Sequence, residues 1–254
     1  MKNQKKISAI ASVVLMSVTL FYFSSCKKEE VNPTNANDNT ESSATMSNDR
    51  FCNFQLFPPH ARPFGHSYNQ WSAKWWKWSM EFPITGHPFV DDASFNVSQR
   101  QLGPVWFLAA PFGTVVRNVN IPHNKALFVG LLNAEASDLE SLGTTYVDQH
   151  ANAKFSADHI RDLTCTLDGD NVDNINSYRF ASQQFSFTAP TPWIFGGTGG
   201  AGTACADGYY LMFKPLHHGA HILHYTGNFH FAIAEGDPFD FDGPIDMTYN
   251  LNVQ

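Results

Sequence analysis

The chain has 254 residues, of which 43% are hydrophobic, and it carries a formal net charge of −7 at pH 7. This acidic balance argues against nucleic acid and anionic lipid headgroups as partners, because both are negatively charged themselves. The aromatic content of 14% is enough for a sizeable core.

The first 25 residues have the pattern of a lipoprotein signal peptide. A start with three lysines precedes an uncharged apolar run, and small residues follow just before Cys26. The segment Phe23-Ser24-Ser25-Cys26 resembles a lipobox, although leucine is commoner at its first position. Cleavage there would change the formal charge from −7 to −10, since the three lysines leave with the signal peptide. Lipid chains on Cys26 would then attach the protein to a lipid bilayer without a spanning helix.

The sequence from Cys26 onward divides into a tether and a domain. The charged Lys27-Lys28-Glu29-Glu30 resembles the sorting tag of some surface-exposed outer-membrane lipoproteins, and the alternative is a solvated charge run. Residues 26–50 hold almost no large apolar side chains and are predicted to form a flexible tether. Residues 51–254 are predicted to form a single β-rich globular domain. The expected location is the cell envelope, at the outer membrane, with display at the cell surface as an option.

One helix is predicted over residues 68–82. Tyr68, Trp71, Trp75, Trp78 and Phe82 recur at spacings of three and four, so they form one apolar stripe. A proline follows directly and ends the pattern.

After this helix the apolar period changes to two, which is typical of strands. Strand patterns cover residues 105–109, 115–121, 126–132, 163–167, 185–187, 209–213, 222–225 and 247–253. A second helix is predicted around 151–163, a hairpin at Asp168-Gly169 and a glycine-rich loop over 196–202. Many short strands joined by Gly, Pro and Asp turns predict a mainly β domain, a β-sandwich or jelly roll with one or two helices.

Three segments resemble a group of uncharacterised secreted bacterial proteins. They are WSAKWWKW (71–78), GPVWFL (103–108) and the stretch from Asp207-Gly-Tyr-Tyr to Lys214-Pro-Leu. The resemblance would span most of residues 65–254. It implies secretion and no particular activity, so no functional residue follows from it.

The tryptophans of the helix are candidate ligand-binding residues. An indole has a flat apolar face and one N–H, which suits stacking on a sugar ring. Exposure of Trp71, Trp75 or Trp76 in a groove would therefore predict glycan binding. Trp76 is the first candidate because it lies off the main stripe. The alternative is that the stripe packs against a sheet as core.

Four aspartates near the C-terminus are candidate calcium ligands. Asp237, Asp240, Asp242 and Asp246 surround a glycine turn, and calcium takes six to eight oxygen ligands. The alternative is an acidic solvated loop.

Five histidines fall between residues 217 and 230 and raise the question of a transition-metal site. If Gly227-Asn228 formed a two-residue turn, strand alternation would place His224 on the face opposite His221 and His230. The latter two would then lie roughly 13 Å apart. That geometry argues against a shared metal, and a different turn would reopen the question.

Glu135 and Asp138 are candidate catalytic acids. They follow the apolar strand pattern at 126–132, together with Glu140, and an acid pair is the minimum that a glycosidase or lyase needs. The alternative is that they are ordinary loop residues. No G-x-S-x-G, H-E-x-x-H or P-loop motif occurs, so the sequence favours a binding protein over an enzyme.

Three cysteines remain once Cys26 carries lipid. In an oxidising compartment Cys52, Cys165 and Cys205 allow one disulfide in any of three pairings. The pair Cys165–Cys205 is preferred because both lie in the same β-rich half.

Three functions are consistent with these features. The first is a lipoprotein whose β-sandwich binds an extracellular ligand, most plausibly a glycan. The second is a glycan-cleaving enzyme that uses acidic residues. The third is a structural or adhesive envelope protein. No cofactor is required by any motif, and calcium is the one candidate.

Overall fold

The structure is a computed structural model that describes residues 54–90 and 98–254. The predictions on the signal peptide, the lipid on Cys26, the tether and Cys52 lie outside the described residues.

The helix predicted from the aromatic stripe is α1, Tyr68–Met80. At its N-terminus the backbone N–H of Ser67 donates to the Gln70 side chain over 3.0 Å, which stabilises the first turn. Pro83 lies three residues beyond the last helical residue and cannot continue the helix. All five residues of the apolar stripe are buried, so this prediction is confirmed.

Ten strands follow α1 in the described residues; eight of them overlap the predicted period-two patterns, several extend well beyond those patterns, and the two short strands at 170–171 and 179–181 have none. They are β1 (Val105–Leu108), β2 (Gly113–Ile121), β3 (Ala126–Ser137), β4 (Ile160–Leu167), β5 (Asp170–Asn171), β6 (Arg179–Ala181), β7 (Phe185–Ala189), β8 (Gly200–Phe213), β9 (Gly219–Phe231) and β10 (Phe241–Val253). The predicted hairpin at Asp168-Gly169 joins β4 to β5.

The strands form two mixed sheets of five strands each. Sheet A has the order β1-β3-β8-β6, with β7 also paired to β8, and sheet B has the order β2-β10-β9-β4-β5. Only the pairs β1–β3 and β2–β10 are parallel among the described strands. The predicted mainly β, sandwich-like architecture with two helices is therefore confirmed.

Two boundaries differ from the prediction. The second helix, α2, is Tyr146–Ala157, not 151–163, because Thr145 caps it by accepting from the Asp148 N–H. Its predicted C-terminal part belongs to β4, where pairing with β9 decides the conformation. The glycine-rich loop predicted over 196–202 is also shorter than expected, because β8 already begins at Gly200.

The assumed turn at Gly227-Asn228 is wrong. Both residues lie inside β9, and Gly227 packs so closely on Leu132 of β3 that a Cβ would lie 2.9 Å from a methyl carbon of Leu132. The glycine is therefore needed for close approach of the two sheets. The chain turns only after Phe231, between β9 and β10.

Side chains alternate strictly between core and solvent along β9 and β10. From Leu223 onward the odd-numbered residues of β9 are buried, and so are the odd-numbered residues of β10 from Gly243 onward. The even-numbered residues point outward. Sheet B therefore presents one continuous outer face.

Candidate functional site

The three candidate ligand-binding tryptophans are core residues. Trp71, Trp75 and Trp76 are only 6%, 2% and 4% exposed. Each indole N–H donates to an internal acceptor: the Pro63 carbonyl at 3.0 Å, the Leu108 carbonyl at 2.9 Å and the Tyr210 hydroxyl at 2.8 Å. Stacking on a sugar needs an exposed ring face. The prediction that these residues form a glycan platform is therefore wrong, and the alternative, packing on a sheet, is confirmed.

Burial of Trp76 has a specific cause. Its ring lies off the stripe that faces sheet A, but it packs at 5.5 Å from Phe89 and 6.5 Å from Phe195, measured between ring centroids. These phenylalanines come from loops that cover the side of α1. Helical periodicity alone could not predict this, since it describes only one face of the helix.

Glu135, Ser137 and Glu140 form a partly buried polar cluster at the end of β3. Glu135 has one carboxylate oxygen, Oε2, that is buried without a hydrogen-bond partner. The Ser137 hydroxyl donates to Glu140 Oε2 over 2.7 Å. Burial first, and then the negative charge of Glu140, hold the pKa of Glu135 well above its usual range. Burial also raises the pKa of Glu140. Both shifts favour the protonated form of these carboxyls.

Asp138 does not join this pair as a second catalytic acid. Its carboxylate accepts from the Thr203 backbone N–H at 2.9 Å and from the Thr203 hydroxyl at 3.1 Å. These bonds fasten the end of β3 to β8. A glycosidase needs two carboxyls that both face the scissile bond. Buried Oε2 of Glu135 and a structurally engaged Asp138 do not provide that arrangement.

The four candidate calcium ligands point to different partners. Asp237 bonds the His159 ring and the Ala232 N–H, and Asp240 accepts from the Ile233 N–H. Asp242 bonds His230 and Asn228, while Asp246 bonds His224. Within residues 54–90 and 98–254, no three His, Cys, Asp or Glu side chains converge in a way that could hold a metal ion. A calcium site built from these aspartates is not present in the described part.

The histidines are likewise distributed in separate pairs. His221 bonds Asp168 at 2.6 Å, His224 bonds Asp246 at 2.9 Å and His230 bonds Asp242 at 2.7 Å. The strand geometry differs from the one assumed from the sequence, because β9 continues through Gly227 and Asn228. Each of these three imidazoles has its own carboxylate. His230 lies directly opposite Asp242, His224 lies diagonally across from Asp246, and Asp168 reaches His221 from the hairpin between β4 and β5.

Cys165 and Cys205 are both free and buried. Cys165 lies on β4 of sheet B and Cys205 on β8 of sheet A. The preferred pairing between them is wrong in this structure. Burial raises the pKa of both thiols, to about 11 for Cys205, which makes them poor nucleophiles at neutral pH.

A different site emerges on the outer face of sheet B. Asparagines of β2 and β10 stand side by side there, because the two strands run parallel with Asn118 opposite Asn250 and Asn120 opposite Asn252. Asn250 Nδ2 donates to Asn118 Oδ1 over 2.9 Å, and Asn252 Nδ2 donates to Asn120 Oδ1 over 2.8 Å. The result is two rungs of an amide ladder.

The ladder continues onto β9 with two apolar residues. Ile222 lies opposite Asn250, and Ala220 lies opposite Asn252. Ile222 is 52% exposed, which is high for a large aliphatic side chain. We call the six exposed side chains the asparagine face: Asn118, Asn120, Asn250, Asn252, Ala220 and Ile222. They line a shallow groove of about 410 Å³ together with His221 and the backbone of Val119 and Leu251.

The asparagine face contains no carboxylate and no lysine or arginine. The nearest acidic groups, Asp168 and Asp246, are each paired with a histidine. An uncharged floor with many amide donors and acceptors is suited to a neutral polar ligand.

A sequence signal for this face exists. Asn-Val-Asn at 118–120 and Asn-Leu-Asn at 250–252 repeat one pattern in two strands, although asparagine is disfavoured in strands. What the sequence could not supply is the parallel pairing that brings these two segments together.

In comparisons with protein-family models, curated proteins and solved structures, nothing matches the chain. Among the described residues, neither helix has the length and apolar character needed to cross a membrane.

Proposed function

We propose that the domain binds a neutral extracellular glycan on the asparagine face of sheet B. The observation that carries the proposal is the amide ladder, two parallel rows of asparagine side chains exposed on a regular sheet. Asparagine weakens a strand, so four of them at matched positions are best explained by what their amides can bind.

The chemistry of the face supports a carbohydrate over other ligands. Sugar hydroxyls both donate and accept, as does a primary amide. The apolar faces of sugar rings can rest on Ile222, which is half exposed beside the ladder. A polyanion or polycation would find no opposite charge among the six side chains of the face.

Glycan-affinity measurements on the full chain in mild detergent test this proposal. Neutral polysaccharides should retain the protein, with and without calcium alike. The double variant Asn250→Ala, Asn252→Ala should lose retention, while Asn176→Ala should not. Asn176 is a matched control because it is an exposed asparagine in the segment between β5 and β6, away from the face.

Three outcomes would count against the proposal. Failure to bind any neutral glycan would remove it and favour a structural role. Retention that survives the double variant would move the site elsewhere. Release of cleaved product would instead support a hydrolase or lyase.

The location follows as part of the same proposal. Lipid on Cys26 would attach the domain to the envelope and leave the asparagine face free in solution. Cys26→Ser should move the full chain from the membrane fraction to the soluble fraction. Unchanged membrane association in this variant would contradict the lipid anchor.

A further inference from the structure

We infer that the outer edge of β2 pairs in antiparallel orientation with β2 of a second copy of this chain. This inference does not depend on glycan binding, because it concerns the backbone of sheet B and not the ligand of the asparagine face.

The strand β2 is the longest edge strand of the two described sheets. It lies at the end of sheet B and pairs with β10 alone among the described strands, in an unbroken register over Gly113–Ile121. The other edge strands of this part of the chain, β1, β5, β6 and β7, have two to five residues. An edge strand presents unpaired N–H and C=O groups along its length, so a long one is a template for pairing with another chain.

The hydrogen bonds just beyond β2 show which of its residues face the open edge. The Gln254 N–H donates to the Ile121 carbonyl over 2.9 Å, and the His123 N–H donates to the Gln254 main-chain oxygen over 2.7 Å. In a regular strand, the N–H and C=O of every second residue point to the same side. The odd-numbered residues of β2 therefore bond β10. The even-numbered residues direct their backbone groups to the open edge: Thr114, Val116, Asn118 and Asn120.

These four residues are exposed, and their backbone groups bond no other part of the described chain. Val116 is an apolar member of the row and is 59% exposed. The edge thus offers four N–H donors and four C=O acceptors to a further strand.

The edges of sheet A, in contrast, are covered by side chains. The Gln101 amide bonds both the N–H and the C=O of Phe107 in β1, each over 2.8 Å. The Lys77 ammonium donates to the Ser186 carbonyl in β7 over 3.0 Å. Within residues 54–90 and 98–254, β2 has no such cap. It also contains no proline, lysine or bulge, which are common means of blocking an edge.

A second copy of β2 fits this edge in hydrogen bonding and in charge. Antiparallel pairing about a twofold axis joins equal numbers of outward donors and acceptors, and it keeps the outer faces of the two sheets on the same side. The four outward residues carry no charge, so no like charges meet on the outer face. The two asparagine faces would become parts of one continuous sheet.

Arg117 restricts the register of this pairing. Its side chain points inward and donates to the Ala109 carbonyl over 2.6 Å. Pairing all four outward residues would place it directly opposite Arg117 of the partner subunit, and like charges in that position are destabilising. A slip of two residues in either direction separates the arginines and leaves three outward residues of each strand paired. One slip places Val116 opposite Val116 of the partner subunit, and the other does the same for Asn118.

Sedimentation equilibrium of the full chain in density-matched mild detergent, with micelles in excess, tests the inference. We expect a monomer–dimer equilibrium at micromolar concentrations. Val116→Pro removes one outward N–H per chain and leaves the ladder to β10 intact, while Val116→Lys places a charge on the edge. Each should raise the Kd of the dimer at least about tenfold. Val147→Lys changes another exposed valine, on α2, and should leave the equilibrium unchanged. Thermal melting checks that each variant is folded.

Cysteine cross-linking tests the orientation and the register. Each slip places residue 116 or residue 118 opposite itself, at a distance that a disulfide can span. Either Val116→Cys or Asn118→Cys should therefore form an intermolecular disulfide on oxidation. Asn176→Cys, at an exposed position away from β2, should behave as the wild type does.

Two results would overturn the inference. One is a wild-type chain that stays monomeric at its highest soluble concentration. The other is a dimer whose Kd is the same in the wild type, in a folded Val116→Lys and in Val147→Lys, which would place the contact elsewhere. Disulfide formation at neither residue 116 nor residue 118 would overturn the antiparallel pairing.

Discussion

Two polar regions of the molecule, one beside sheet A and one on sheet B, differ in what surrounds their polar groups. Beside sheet A, Glu135 and Glu140 lie close together, and the Tyr210 hydroxyl is bonded to Trp76 inside the core. On sheet B the polar groups stand outward in rows, and the asparagine rungs keep hydrogen-bonding groups available to solvent. Buried polar groups affect stability because their partners are fixed, whereas exposed ones can exchange water for a ligand. The first kind should therefore respond to mutation through folding and the second through binding.

The largest effect is expected for the core of α1. Trp76→Ala removes a buried ring and leaves the Tyr210 hydroxyl without its donor, so the free energy of unfolding should fall by about 3–5 kcal/mol. Urea or thermal unfolding would measure this loss. Because Trp76 is a core residue, we expect glycan binding to fall only as far as the protein unfolds. A Trp76→Ala protein that melts like the wild type yet no longer binds glycan would restore Trp76 as a ligand contact.

The next effect comes from the buried acid pair and depends on pH. The pKa of both Glu135 and Glu140 is raised in the folded protein. At a pH above the ordinary carboxyl pKa, the folded protein therefore binds more protons than the unfolded chain does. Stability should therefore fall as the pH rises from about 4.3 through the raised values. The slope can reach about 1.4 kcal/mol per pH unit for each proton involved.

Glu135→Gln should flatten this slope and stabilise the protein at neutral pH. Glutamine fills a similar volume, carries no charge and can donate to Glu140. Urea unfolding at several pH values between about 4.5 and 8 would measure the difference. Asp173→Asn, at an exposed carboxylate in the segment after β5, is the control and should leave the slope unchanged. If the stability of the wild type and of Glu135→Gln changed with pH in the same way, the raised pKa of Glu135 would be contradicted.

The two regions also differ in how far the sequence predicts them. The stripe on α1 and the alternation over residues 247–253 of β10 are local patterns, so these two elements could be predicted, whereas the sequence predicts β9 only over residues 222–225. The roles of Trp76 and Asp246 could not. Trp76 is covered by Phe89 from the loop after α1 and by Phe195 from a loop far along the chain. Asp246 meets His224 through the register of two long strands.

The asparagine face shows the same limit most clearly. Asn118 and Asn250 are 132 residues apart in sequence and become neighbours only because β10 pairs in parallel with β2. Within each strand, buried and exposed residues alternate as in any strand with one buried face. The signal was the repeated choice of a poor strand former at outward positions, and its meaning depends on a pairing that no local pattern specifies.

The smallest effect on stability, and the sharpest contrast between the two sheets, is expected for Asn250→Thr. Threonine is a better strand former, and this gain should offset the loss of the bond to Asn118, so the free energy of unfolding should change by less than about 0.5 kcal/mol. Affinity for a neutral glycan should nevertheless fall about fivefold or more, because the rung loses its acceptor. Thr164→Ala, on the same face of the sheet but paired with Thr226 on the β4 side, should leave binding unchanged. If Asn250→Thr alters neither quantity, the asparagine is replaceable and the amide ladder does not bind the ligand. If it preserves stability and loses affinity, the sheet has kept a residue that is unfavourable for its own strand in order to bind something outside it.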